Sequence, residues 1–197
     1  MGYSARKAVV ERKTRETNVR CSLVVDGTGL ANVDSGVGFL DHMLTLLAFN
    51  AGFDLSLKAK GDLEVDEHHT VEDCAIALGS ALKQALGNRA GINRFGFFVL
   101  PMDESLARVA IDLGGRPFCR MDAQFKRKKI GDMSTELFED FFAAFANSAG
   151  ACVHVKIEYG RNEHHKAEAL FKALGRGLNM ACEKQGQKGV PSTKGVL

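Results

Sequence analysis

The sequence predicts an α+β fold that is internally duplicated, with two similar halves that each contain a small mixed β-sheet covered on one face by two helices. The motif His-His-x-x-Glu occurs twice, at His68–Glu72 and at His164–Glu168, and the separation of 164 − 68 = 96 residues is close to half of the 197-residue chain. We predict a first half at 1–93, a second half at 94–183 and a C-terminal tail at 184–197, together forming one compact catalytic domain.

The secondary structure expected from the residue pattern supports this duplication. Alternating apolar and polar residues predict five strands, at 19–26, 53–60, 95–100, 106–113 and 152–159. Each motif precedes a stretch rich in alanine and leucine, which predicts a helix. A further helix is expected before each motif, at 38–49 and 135–142, and glycines mark the turns between elements.

The composition argues for an ordinary globular enzyme rather than a nucleic-acid or membrane protein. A net charge of +2 supplies no strong field, and we interpret the basic run 126–129 as a solvated loop. The N-terminal region has no signal-peptide pattern, and no apolar run is long enough to span a membrane. The five scattered cysteines, with no Cys-x-x-Cys pair, argue against disulfides and favour the cytoplasm.

The repeated motif has the geometry of a ligand-bearing helix. Since each residue of an α-helix turns about 100°, placing His68 at 0° puts His69 near 100° and Glu72 near 40°. The apolar positions of that stretch centre roughly 100–120° away, and they are Val71, Cys74, Ala75, Leu78 and Leu82. The second motif repeats this division, so each helix is predicted to separate a ligand face from a core face.

Two metal ions are expected from this arrangement. Adjacent histidines on a helix diverge too widely to chelate one ion, but they can give one ligand to each of two ions. The six histidines and two motif glutamates supply eight candidate ligands: His42, His68, His69, Glu72, His154, His164, His165 and Glu168. They divide into two sites of three imidazoles and one carboxylate, an open set that suits manganese or iron better than structural zinc.

Histidines near a helix start often only satisfy backbone carbonyls or water, but two pairs in duplicated context favour metal binding. His42 and His154 are the weaker members of the set. At an offset of 96 residues they correspond to Phe138 and Lys58, so a core or hydrogen-bonding role for each stays open.

With these residues in view, the chain resembles the imidazoleglycerol-phosphate dehydratase family along essentially its whole length. The matching segments are Arg15–Thr17, Gly36–Leu44, Gly61–Leu63, Asp66–Asp73, Pro101–Glu104, Gly115–Pro117, Asn162–His165, Glu168–Ala173 and Pro191–Gly195. The resemblance implies a hydro-lyase of histidine biosynthesis that converts D-erythro-imidazole glycerol phosphate to imidazole acetol phosphate and water. It also implies two Mn²⁺ ions per active site and a homo-oligomer, a 24-mer with active sites between subunits.

The resemblance also implies roles for individual residues. The catalytic set is Glu16, Glu168, His69 and His165, with Glu16 as an acid/base near the leaving hydroxyl. The substrate-binding set is Glu16, Arg94, Arg116, Lys172, Ser192 and Lys194, whose cations and hydroxyl suit a phosphate monoester. The chain departs from the family pattern at Asn50, where many members carry histidine, and at Gly175 and Gly177, within an otherwise alanine-rich run.

Two other functions stay open at this point. One is a metal-dependent hydrolase of a phosphorylated small molecule, which would use metal-bound hydroxide. The other is a metal-storage assembly, which would tolerate replacement of Arg116 or Lys194. The expected convergence of phosphate-binding groups argues against storage.

Overall fold

The computed structural model describes residues 5–186 and 189–195 of the chain, so part of the predicted 184–197 tail lies outside the described residues. The elements are, in order, β1 (Lys7–Lys13), β2 (Asn18–Val24), β3 (Ala31–Asp34), α1 (Gly38–Ala51), β4 (Asp54–Lys60), α2 (His68–Leu86), β5 (Phe95–Met102), β6 (Ser105–Asp112), β7 (Phe118–Asp122), β8 (Lys129–Ile130), β9 (Met133–Ser134), α3 (Leu137–Ala149), β10 (Cys152–Tyr159) and α4 (Glu163–Cys182). Three strands, a helix, a strand and a helix therefore occur twice, and only the short β8–β9 hairpin interrupts the repeat.

The two four-stranded sheets have the same topology, which confirms the predicted duplication. Their strand orders are β1-β2-β4-β3 and β5-β6-β10-β7. In each sheet one edge strand, β3 or β7, runs parallel to its neighbour while the other pairs are antiparallel. Both sheets are therefore mixed, as predicted.

Five strands were not predicted from the sequence, namely β1, β3, β7, β8 and β9. The strand β1 alternates only between exposed and half-buried residues, and its sequence carries four charged side chains among seven. The strands β3 and β7 have only four and five residues, and β8 and β9 have two each. Edge strands of this length bury too little apolar surface to impose a clear period-2 pattern.

The helices lie between the two sheets. Helices α1 and α2 cover the inner face of the first sheet, and α3 and α4 cover the inner face of the second. The two layers face each other, because α1 packs against α4 and α2 packs against α3. The core thus joins both halves, and ligands from different halves can meet.

Glycines at equivalent positions allow these helix pairs to approach closely. An ideal Cβ on Gly79 of α2 would lie 2.6 Å from the Phe145 carbonyl oxygen of α3. An ideal Cβ on Gly175 of α4 would lie 2.6 Å from the Leu47 carbonyl oxygen of α1. Gly177 is also packed tightly, with its carbonyl oxygen only 1.9 Å from an ideal Cβ on Gly96. The two helix-interior glycines of α4 therefore serve close packing, which offsets their poor helix propensity.

The repeat is offset by 98 residues, not 96, in the elements before each motif. Helices α1 and α3 end at the left-handed caps Gly52 and Gly150, and 150 − 52 = 98. Each glycine is followed two residues later by the first residue of a strand, Asp54 or Cys152. The two extra residues of the first half lie in the connection between β4 and α2, which is why the motifs themselves are 96 apart.

This offset corrects two correspondences. The sequence-based pairing of His42 with Phe138 and of His154 with Lys58 is wrong. The structural counterpart of His42 is Asp140, and that of His154 is Ser56, by 42 + 98 = 140 and 154 − 98 = 56.

Candidate metal centre

Three side chains from the two halves converge between α1 and α4. The Nε2 atom of His42 on α1 and the Nε2 atom of His164 on α4 each lie 2.9 Å from Oε1 of Glu168. Ligand atoms of the three residues all lie within 4.8 Å of one another, and no other group of this kind occurs in the part of the chain that the structure describes. Because α1 packs on α4, residues 126 positions apart meet in one cluster.

The carboxylate of Glu168 in this cluster is buried and is bound by several hydrogen-bonding partners. Its side chain is 9% exposed, and its second oxygen lies 2.5 Å from Nζ of Lys172, one helical turn further along α4. Burial raises the pKa of Glu168, but hydrogen bonds with Lys172, His42 and His164 outweigh burial and lower the pKa to about 2. Glu168 is therefore ionised, which is the form that binds a divalent cation.

The second histidine of each motif is oriented by a carboxylate. The Nδ1 atom of His69 lies 3.0 Å from Asp62, and the Nδ1 atom of His165 lies 2.7 Å from Glu104. The hydrogen bond with Asp62 raises the pKa of His69, and the hydrogen bond with His165 lowers the pKa of Glu104 below its usual range. A carboxylate on Nδ1 leaves Nε2 as the metal-binding atom, which is the common pattern around metal-bound histidines.

The paired histidines diverge as the helix geometry requires. The rings of His68 and His69 are 6.0 Å apart at 86°, and those of His164 and His165 are 6.4 Å apart at 89°. His165 does not belong to the cluster of His42, His164 and Glu168. Within one chain, each motif thus presents its two imidazoles in different directions.

The structural repeat identifies a candidate ligand that the sequence reasoning missed. Asp140 occupies in α3 the position that His42 occupies in α1, and α3 packs against α2, which carries His68 and Glu72. The equivalent cluster in the first-half motif would therefore be Asp140, His68 and Glu72. Matching the two cap glycines instead of the two histidine pairs was the signal that could have found Asp140.

His154 lies apart from the helices. Its neighbours Val153 and Val155 are buried towards the helix layer, whereas His154 is exposed on the outer face of the second sheet. There its ring contacts Phe118, with centroids 5.5 Å apart. A ligand role for His154 would need an ion on that outer face.

The predicted substrate-binding residues fall into separate groups. Lys172 lies at the cluster, and Glu16 lies in the β1–β2 turn, close enough to raise the pKa of His69. Arg94 uses Nε and Nη2 to bind the carboxylate of Asp112, at 2.7 and 3.0 Å. Its Nη1 donates to the carbonyl oxygen of Pro191 at 3.0 Å, which ties down the tail.

The remaining members of that set lie on the surface of the second half. The tail tied by Arg94 carries Ser192 and Lys194, and the Lys194 backbone N–H donates to the Ser192 hydroxyl. Arg116 lies exposed in the β6–β7 connection. Within one chain, Arg94 is fully engaged, so a phosphate contact through this residue would require it to exchange partners.

Comparison with known proteins gives a consistent result. The family model for imidazoleglycerol-phosphate dehydratase matches residues 35–178. The chain belongs to this family. The imidazoleglycerol-phosphate dehydratase of Acetivibrio thermocellus is 54% identical over 193 residues, covering 98% of this chain and 99% of that protein.

Other members of the imidazoleglycerol-phosphate dehydratase family extend the comparison. A bifunctional histidine biosynthesis protein of Spirosoma linguale is 52% identical over 98% of this chain and 50% of its own length. The crystal structure of IGPD from Pyrococcus furiosus in complex with (S)-C348 has a TM-score of 0.83 and 35% identity, covering 95% of this chain and 100% of that chain. Family membership confirms the fold class and the enzyme class, a hydro-lyase, that the sequence indicated. None of the helices in 5–186 or 189–195 is long and apolar enough to cross a membrane.

Proposed function

We propose that this member of the family catalyses the dehydration of D-erythro-imidazole glycerol phosphate to imidazole acetol phosphate, a step of histidine biosynthesis. The observation that carries the proposal is the cluster of His42, His164 and Glu168, which joins two imidazoles and an ionised carboxylate from both halves. Such a mixed nitrogen and oxygen donor set fits Mn²⁺ and leaves coordination positions open for substrate.

Two Mn²⁺ ions per active site follow from the duplication. One would be held by His42, His164 and Glu168, and the other by His68, Glu72 and Asp140. Because the rings of His69 and His165 stand nearly perpendicular to those of His68 and His164, they would complete sites on neighbouring chains. The predicted ligand His154 faces outward in one chain, and Asp140 takes its place in this proposal.

The chemistry explains why ions are needed. The hydroxyl that leaves is on the carbon attached to the imidazole ring and the proton that is lost is on the next carbon, and the substrate has no carbonyl to assist either step. When bound, the ions would hold the ring as an anion, whose electron density helps to expel that hydroxyl. Glu16, in the turn beside His69, would serve as the acid/base at the leaving hydroxyl. Glu168 combines ligation with proton handling, while Lys172 keeps its carboxylate ionised.

Phosphate recognition would come from the cationic groups outside the cluster. Arg116, Ser192 and Lys194 offer a guanidinium, a hydroxyl and an ammonium at the surface of the second half. Arg94 would contribute through the tail that it holds at Pro191.

Assembly into a homo-oligomer, a 24-mer in this family's pattern, is also part of the proposal. The outer face of the second sheet exposes large apolar side chains, each at least half accessible to solvent: Phe95, Phe97, Val99, Phe118 and Tyr159. Exposed apolar side chains of this size on one face are typical of an interaction surface. A neighbouring copy on it would bury these side chains. The five free cysteines fit a reducing cytoplasm.

Incubation of chelated and of Mn²⁺-loaded protein with imidazole glycerol phosphate tests the proposal. We expect the keto phosphate to form only in the loaded sample. Release of inorganic phosphate without the keto product would favour the hydrolase and refute the dehydratase. Unchanged substrate in both samples, with neither keto product nor free phosphate, would also refute the dehydratase.

A further inference from the structure

The β8–β9 hairpin is the one element with no counterpart in the first half of the described chain. Three residues separate β3 from α1, whereas fourteen residues separate β7 from α3. The extra residues fold into the hairpin Lys129–Ser134, which is fixed to the core by buried Ile130 and Met133. Its polar side chains reach the first half at two places, the start of α1 and the start of α2, and both of these helices carry candidate ligands.

The first contact caps α1. Helix α1 has no side-chain cap of its own at Val37. Instead the carboxylate of Asp132 accepts the backbone N–H groups of Gly38 at 2.6 Å and Phe39 at 2.9 Å. These are two of the N–H groups that a helix start leaves without partners, and a carboxylate there also suits the helix dipole. His42 lies one turn further along.

A ring contact extends the same link to the cluster. Gly131 at the hairpin tip packs against Phe39, whose Cβ lies 3.5 Å from an ideal Cβ on the glycine. The Phe39 ring in turn contacts the rings of His164, at 5.2 Å, and His42, at 6.3 Å. The hairpin tip therefore contacts both imidazoles of the cluster indirectly, through the Phe39 side chain.

The second contact holds the start of α2. Glu67, which directly precedes His68, is buried, and its Oε1 accepts the Ser134 backbone N–H at 2.8 Å and the Ser134 hydroxyl at 2.6 Å. Lys129 adds an ion pair at 3.2 Å. In the second half the corresponding residue, Glu163, pairs within its own helix with Lys166 at 3.1 Å. The hairpin therefore replaces a local contact by one that joins two helices.

We propose that this hairpin is a strut that sets the spacing between the starts of α1 and α2, and that Asp132 and Ser134 are positioning residues for metal binding. The inference rests on the proposed metal-dependent function. Asp132 acts on the ion held by His42, and Ser134 acts through Glu67 on the ion held by His68 and Glu72. Residues that orient metal ligands from outside the coordination sphere affect metal affinity when they are replaced, commonly by 10- to 100-fold.

The experiment is a titration of the full chain with Mn²⁺. Binding is measured by calorimetry and by the electron paramagnetic resonance signal of free Mn²⁺. His42→Ala identifies which binding phase belongs to the cluster. We expect D132A to weaken that phase by about 10-fold or more, D132N to weaken it less because one acceptor oxygen remains, and S134A to weaken the other phase.

A matched control separates positioning from stability. Asp54 also accepts two loop N–H groups with its carboxylate, from Thr28 at 2.8 Å and Leu30 at 3.1 Å, and it carries no candidate ligand. D54N should lower Tm but leave both Mn²⁺ affinities within about 2-fold. If D132A lowers Tm as D54N does while both affinities stay unchanged, the hairpin is only structural and the proposal is overturned. If the unaltered chain itself binds no Mn²⁺, the proposed function fails instead.

Discussion

The two halves share a fold but differ in how far their candidate metal ligands are assembled in a single chain. In the second-half motif, the carboxylate of Glu168 already makes hydrogen bonds with His42 and His164 and an ion pair with Lys172. In the first-half motif, Asp140 replaces the histidine at the position of His42, and Ile76 stands where Lys172 stands, by 172 − 96 = 76. The comparison teaches that duplication preserved the scaffold while the two clusters diverged in charge. The ligand atoms of His42, His164 and Glu168 already lie together in one chain, whereas those of His68, Glu72 and Asp140 form no such cluster in the described residues.

The largest expected effect comes from removing a motif carboxylate. Glu168→Gln should lower turnover on the order of 10³-fold, because it removes a ligand and a proton-transfer group together. Glu72→Gln should remove one ion but leave the cluster of His42, His164 and Glu168 intact. Steady-state kinetics and bound Mn²⁺ per chain measure both. Full activity in Glu168→Gln would contradict the proposed role of Glu168 as a ligand and proton-transfer group.

Replacing Asp140 sharpens the difference between the two sites. Asp140→Ala should weaken the binding of one Mn²⁺ by at least about 10-fold, and Asp140→His should restore a site that resembles the one at His42. His154→Ala is the matched control and should leave Mn²⁺ affinity unchanged. If His154→Ala weakens binding and Asp140→Ala does not, the ligand set predicted from the sequence is the better one.

The glycine pair tests whether the two helix contacts are equivalent. Gly79→Ala and Gly175→Ala should each reduce the free energy of unfolding by about 1–3 kcal/mol, because the new Cβ would lie 2.6 Å from a backbone oxygen. Helix propensity alone would give the opposite sign, a gain of about 1 kcal/mol. Urea denaturation distinguishes the two, with Ser80→Ala on α2 as the control. A gain in stability for either glycine variant would contradict the close approach.

The smallest effect concerns a contact that joins the halves. Arg6 binds Asp26 in a side-chain ion pair and donates to the Cys182 carbonyl oxygen of α4 at 2.7 Å. The hydrogen bond from Arg6 lowers the pKa of Asp26 to about 2. Since the folded pKa lies below the unfolded value of about 3.9, the contribution is present above pH 4 and is lost as the pH falls towards 2.

Arg6→Met should therefore reduce the unfolding free energy by up to about 1 kcal/mol near neutral pH, a discounted figure because Asp26 is 37% exposed. The difference from the unaltered chain should shrink between pH 4 and 2, and only the part due to the Cys182 carbonyl contact should remain. Urea denaturation at several pH values measures it, and a difference that grows on acidification would contradict the assignment.

Much of the fold could be predicted because long amphipathic elements carry strong patterns. The helices α2 and α4 and the central strands β2, β4, β6 and β10 bury one face each, so period and burial agree. The edge strands β1, β3 and β7 and the β8–β9 hairpin could not be predicted, since their stability comes from tertiary contacts such as that of Asp132 with α1.

The candidate site was predictable only in part. The pairs His68–His69 and His164–His165 were visible as a repeated motif, but Asp140, the structural counterpart of His42 in the second half, was not. Its assignment depends on a two-residue difference between the connections that precede α2 and α4, which becomes visible only when the glycines that end α1 and α3 are matched instead of the histidine pairs. Contacts between helices from different halves, which unite His42 with Glu168, are likewise a property of the packed layers.

Anomalous diffraction at the manganese edge, from crystals of the Mn²⁺-loaded protein, tests the central claim most directly. We expect two peaks per active site, one bound by His42, His164 and Glu168 and one bound by His68, Glu72 and Asp140, each completed by an imidazole from His69 or His165 of another subunit. A map with no peak at the cluster of His42, His164 and Glu168 would contradict the account.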